Sequence, residues 1–169
     1  MIITYSLLFA FLTWRNFNLS LAILFFCLPT YLIRFHIGPL PTTLLEMMIG
    51  IITIIWLIKY RKTIISNFKF QISKYKNFFI ATSLFLLAAT ISVFISTNFR
   101  SALGEWKAFY VEPVILFVIL ITTLKQESKT INRIIYAVML SGLITSLLAI
   151  YQHFTGWLVP DAFWANRET

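Results

Sequence analysis

"FFIATSLFLLAATISVFIS", Phe78 to Ser96, runs close to the roughly 20 residues a helix needs to cross a bilayer core, with no acidic or basic side chain. Lipid offers nothing to hydrogen-bond the backbone, so a closed helix is the simplest structure for such a stretch. Apolar runs of similar length recur outward from it, at Leu19 to Phe35, Thr42 to Ile58, Trp106 to Leu124 and Ile134 to Tyr151. Met1 to Trp14 is shorter. It lacks the positive start and small-residue cleavage site of a secretory signal, and reads as a shallow or truncated first helix. No repeat, low-complexity run or linker interrupts the series. The sequence therefore predicts an all-α, polytopic transmembrane bundle of about six helices, with residues 1–169 as one domain.

Composition agrees. With 59% hydrophobic residues, 12% charged and a mean hydropathy of +0.84, the chain has too little polar surface to clothe a water-soluble domain of 169 residues. In a soluble chain the net charge of +8 would point to nucleic acid; in a membrane chain it marks the cytoplasmic side and anionic headgroups, so no nucleic-acid partner is expected. Cys27 is the one cysteine, which excludes an intrachain disulfide and a cysteine-based metal cluster.

Lys and Arg then set the orientation. With an external amino terminus, ten fall inside: Arg15, Lys59, Arg61, Lys62, Lys69, Lys74, Lys76, Lys125, Lys129 and Arg133. Only four, Arg34, Arg100, Lys107 and Arg167, fall outside, and the positive-inside rule selects this topology. The segment Lys59 to Asn77 is then a cytoplasmic basic loop, and Gln152 to Thr169 an external aromatic one. At helical spacing Ile64, Phe68, Ile72 and Tyr75 share a face while Lys62, Lys69 and Lys76 share another, as in a helix on anionic headgroups. A solvated loop that only enforces topology explains the same residues. The aromatics Tyr151, Phe154, Trp157, Phe163 and Trp164 read first as an interfacial belt, with stacking on sugar rings as a second role.

Small residues mark two helix faces for close packing: Ala88, Ala89, Ser92 and Ser96, and Ser141, Gly142, Thr145, Ser146 and Ala149. Charges inside spans mark something else. Glu46 lies about one and a half turns into the helix that follows the "GPLP" turn at Gly38 to Pro41, and Glu112 precedes Pro113. On a regular helix Glu105, Phe109 and Glu112 share a stripe, and Lys107 is too far around to pair with Glu112. Pro113 should kink the helix and free a backbone carbonyl near Glu112. Intramembrane carboxylates cost roughly 3 kcal/mol or more unless they face a partner or a cavity, so two at one level imply a polar, outward-facing cavity. Two roles stay open. The acids pair with Arg34, Arg100 or Lys107 to fix the bundle, or they orient those cations toward an anionic ligand such as a lipid pyrophosphate, helped by the helix start near Ser101.

The stretches "EWKAFYVEP" (Glu105 to Pro113), "LLAIYQHFTG" (Leu147 to Gly156), "STNFRSAL" (Ser96 to Leu103) and "IGPLPTTLLE" (Ile37 to Glu46) resemble the amino-terminal half of bacterial O-antigen ligase and polymerase-like membrane proteins. The resemblance implies a multi-pass protein of the cytoplasmic (inner) membrane. It also implies metal-independent transfer of an undecaprenyl-pyrophosphate-linked glycan at the outer face, with no cofactor. The main catalytic basic residues of such proteins lie in a second half, so the chain is expected to be a part that does not catalyse by itself, partnered by membrane lipids and a missing carboxy-terminal half. The lipid-pyrophosphate-binding candidates are Arg34, Arg100 and Lys107, and the orienting carboxylates are Glu46 and Glu112. Half of a secondary transporter, broken at Pro29 and Pro113, and a non-catalytic envelope scaffold are the alternatives. His36 and His153 have no second ligand at metal spacing, and no phosphate loop or nucleophile motif is present.

Overall fold

The computed structural model describes residues 2–37, 40–74, 76–123 and 128–156. The order is α1 (Ile2–Arg15), α2 (Phe17–Phe26), a 3₁₀ turn (Leu28–Leu32), strands β1 (Arg34–Ile37) and β2 (Leu40–Thr43), α3 (Leu44–Lys74), α4 (Lys76–Ile95), α5 (Phe99–Trp106), a π turn (Lys107–Val111), α6 (Glu112–Thr123) and α7 (Ser128–Thr155). The helical architecture expected from the sequence is present, and α5, the π turn and α6 form one continuous rod. Among the described residues three helices are long and apolar enough to cross a membrane: Lys76–Ile95, Phe99–Thr123 and Lys129–Thr155. Most of their side chains face outward rather than into the protein, as in helices solvated by lipid.

Several boundaries differ from expectation. The run Leu19 to Phe35 is no single helix: α2 stops at Phe26, and Pro29 sits at the start of the 3₁₀ turn. Ten helical residues rise about 15 Å, half a bilayer core. Beyond the turn, β1 and β2 pair antiparallel, Arg34 opposite Thr43 through Ile37 opposite Leu40, which settles their backbone groups locally. Gly38 and Pro39, half of the expected "GPLP" turn, lie outside the described residues. The basic segment after Lys59 is no irregular loop, because α3 continues to Lys74 and α4 starts at Lys76. The side chains of residues 61–75, on which its two-faced reading rests, lie outside the described residues. The fifth expected span starts earlier, at Phe99, where Asn98 accepts the Ser101 N–H at 3.3 Å as a helix cap. The sixth runs from Ser128 to Thr155, so Gln152 to Thr155 are helical rather than loop. Residues 157–169, with most of the aromatic belt, lie outside the described residues.

α3 is the central helix. Its Met48, Ile49, Ile52, Ile55 and Trp56 meet Phe9 of α1, Phe17, Leu21 and Leu24 of α2, and Ile119 of α6 in one buried cluster. α1 lies parallel to α3: the Tyr5 hydroxyl reaches Met48 Sδ at 3.4 Å, and Lys59 Nζ donates to the Trp14 carbonyl at 2.6 Å. α4 packs on the α5–α6 rod, where Trp106 Nε1 donates to Thr90 Oγ1 at 3.1 Å and Phe78 meets Phe117. α7 packs mainly on α2. The expected small-residue faces are only partly used. Ala89 is buried on α4 but with Val93, while Ala88 and Ser92 are exposed; on α7 Ser141 is buried, while Gly142, Ser146 and Ala149 are exposed. Threonine and serine on these helices return their hydroxyls to their own turn, as Thr90 to Leu86 and Ser146 to Gly142 do, which removes the need for an interhelical partner.

Candidate functional site

The site forms where β2 turns into α3. Thr43 accepts the Glu46 N–H on its Oγ1 at 3.2 Å, which satisfies a backbone donor at the helix start. Glu46 therefore stands in the first turn of α3, not one and a half turns inside, because residues 42–43 belong to the strand. Its carboxylate has two partners on one oxygen. The Thr42 hydroxyl donates to Oε2 at 2.8 Å, and Lys107 Nζ donates to the same atom at 2.7 Å from the π turn of the neighbouring rod.

This ion pair is asymmetric. The Glu46 side chain is 15% exposed and that of Lys107 45%, so the acid is enclosed while the ammonium keeps an open side. A carboxylate so placed would be costly alone, and the lysine offsets that cost while its remaining donors stay available to another acceptor. Glu112, half-buried, is close enough to both Glu46 and Lys107 for its charge to be felt by each. Among the described residues its carboxylate has no hydrogen-bond or ion-pair partner. The ammonium of Lys107 is bonded to Glu46 alone of the two acids. The stripe expected of Glu105, Phe109 and Glu112 is absent: Phe109 is 74% exposed and Glu105 is exposed, because the helix between them and Glu112 is not regular.

The other predicted cations lie farther out. Arg34 is exposed on β1, opposite Thr43, so the hairpin carries it to the same end as Glu46. No ion pair joins it to Glu46 or Glu112 among the described residues. Arg100 is exposed in the first turn of α5, about 10 Å along the axis from Lys107. Its helix start is already capped by Asn98, so the free dipole end expected near Ser101 is partly used. The structure therefore brings Lys107, Glu46 and Glu112 together, and leaves Arg34 and Arg100 exposed outside this cluster.

Thr42, Thr43 and the π turn are functional neighbours the sequence reading passed over. The spacing Thr43-x-x-Glu46 is a helix-start signature that points to Thr43. Pro113 points to a disturbed helix, but not to its form: the Glu112 N–H bonds back five residues to the Lys107 carbonyl, widening the turn ahead of the proline. No protein-family model, curated protein or solved structure matches this chain.

Proposed function

We propose that the chain is the amino-terminal, non-catalytic part of a polytopic inner-membrane glycan ligase or polymerase, and that Lys107 faces the pyrophosphate of an undecaprenyl-linked donor at the outer surface. The observation that carries this reading is the Lys107–Glu46 pair. A partly buried acid holds the lysine ammonium while 45% of that side chain remains exposed, an arrangement that pre-orients a cation for an anionic group. Arg34 and Arg100 at the same end add positive potential around it. The positive-inside count puts this end on the outer side, and the motif resemblance supplies the substrate class.

The test uses the intact transferase that contains this chain. Removing charge-assisted contacts to a phosphate costs about 1.5 to 3 kcal/mol each, so the Arg100→Ala, Lys107→Ala double variant should lose at least about tenfold in donor use. Glu112→Gln should lower transfer less, by loosening Lys107. Full glycan transfer by the double variant would overturn the reading.

The half-transporter is a second reading, favoured by α2, which stops after ten residues and gives way to a 3₁₀ turn and a hairpin as a discontinuous helix would. It predicts solute uptake by proteoliposomes holding the intact protein without any lipid-linked glycan. The transferase reading predicts none.

A further inference from the structure

The rod Phe99–Thr123 presents four residues toward α3. Lys107 bonds Glu46 at 2.7 Å, Ile115 packs against the core cluster, Ile119 is 0% exposed within it, and Thr122 accepts the Trp56 indole N–H at 3.2 Å. A regular helix would set Lys107 off the centre of this face. At about 100° per residue, Ile115, Ile119 and Thr122 would stand about 80°, 120° and 60° around the axis from Lys107. The three would face α3 together and Lys107 would point about a quarter-turn away. Counting the π turn as one extra residue removes one step, and the same three residues fall at about −20°, +20° and −40° from Lys107. All four then share one side.

Pro113 supplies the reason for the wider turn. It has no N–H to donate, and in a regular helix its ring would collide with the Phe109 carbonyl. Bonding the Glu112 N–H back to Lys107, five residues away, opens the turn just before the ring. We infer that Pro113 is a positioning residue: by holding the π turn between Lys107 and Val111, it rotates Lys107 onto the α3-facing side, where Glu46 receives it. The consequence for ligand binding rests on the function proposed above. The placement itself does not, and the test reads placement alone.

Cysteine pairs are introduced in a Cys27→Ser background and linked in membranes with a short bis-maleimide. Glu46→Cys with Lys107→Cys reports the turn, and Trp56→Cys with Thr122→Cys reports the rest of the helix pair. Both should link when Pro113 is present. Pro113→Ala should abolish linking of the first pair and spare the second, and deleting Ala108 from that variant should restore the first, because the shortened regular helix returns position 107 to the α3 side. Undiminished linking of the first pair in Pro113→Ala would overturn the inference. So would loss of both pairs, or a loss that the deletion fails to restore. Deleting Ala108 with Pro113 kept is the second arm: the proline still holds a wide turn in a helix now one residue shorter, so position 107 rotates away, and the first pair should be lost while the second still links; undiminished linking of the first pair there would also overturn the inference. A chain that passes these tests and yet transfers glycan fully as Lys107→Ala would sink the proposed function and leave this placement intact.

Discussion

The indole N–H of Trp56 donates to the hydroxyl of Thr122 at 3.2 Å, tying α3 to α6 at the end opposite Glu46 and Lys107. Trp56 is 6% exposed, so losing the acceptor strands a buried donor. Thr122 has passed its own proton to carbonyls of its helix, which leaves its lone pairs for the indole. A double-mutant cycle of Trp56→Phe and Thr122→Val should give a coupling of about 0.6 kcal/mol, the usual size for such bonds between membrane helices. Unfolding in mixed detergent micelles measures it, and additive single effects would show the bond to be energetically silent.

Breaking the Lys107–Glu46 pair should cost unequally. Lys107→Gln leaves a carboxylate that is 15% exposed beside Glu112 with no cation between them, and should destabilise by about 1 to 3 kcal/mol. Glu46→Gln should cost less, since a lysine with 45% of its side chain exposed can swing its ammonium to solvent or headgroups. Thermal unfolding of the two variants in detergent checks the order. A larger loss for Glu46→Gln would contradict the asymmetry.

The core should be sensitive on one side of α3 only. Ile52 is 0% exposed at the centre of the cluster, while Ile54, two residues on, is 59% exposed. Ile52→Ala should cost about 2 to 5 kcal/mol and Ile54→Ala close to nothing. Equal effects in an unfolding assay would mean that Ile54 also packs against protein.

How much of this was legible follows from where the information lies. α4 could be read from Phe78 to Ser96 almost to its ends, because its apolar run is bounded by Lys76 on one side and by Thr97 and Asn98 on the other. α2 could not, because apolar residues continue past Phe26 and hydropathy does not register the turn that Pro29 forces. Glu46 was found as an unusual charge with Arg34, Arg100 or Lys107 as its candidate partners, yet the choice of Lys107 is made between distant segments and leaves no trace in a single sequence. The stripe drawn through Glu105, Phe109 and Glu112 assumed a regular helix, and the one-residue widening before Pro113 dispersed it.

Topology gives a further prediction. With ten basic residues against four, the proposed orientation has the α3–α4 junction in the cytoplasm and the end of α7 outside. In a Cys27→Ser background, Asn77→Cys should be shielded from a membrane-impermeant maleimide added to intact cells, and Thr155→Cys should label. The reverse pattern would invert the proposed orientation and remove Lys107 from the outer face.

The packing of α2 against α7 bears on how the protein is made. Phe17 to Phe26 leaves the ribosome before α7, and residues 27–127 must follow before the helix that covers it begins at Ser128. Helices α1 and α3 and the α4–α6 pair can associate as neighbours or near neighbours in synthesis, whereas the α2–α7 contact closes a long chain loop and must wait. Assembly therefore has a late step, in which a short helix already seated against α3 acquires its second wall only from a helix that starts more than a hundred residues further along the chain.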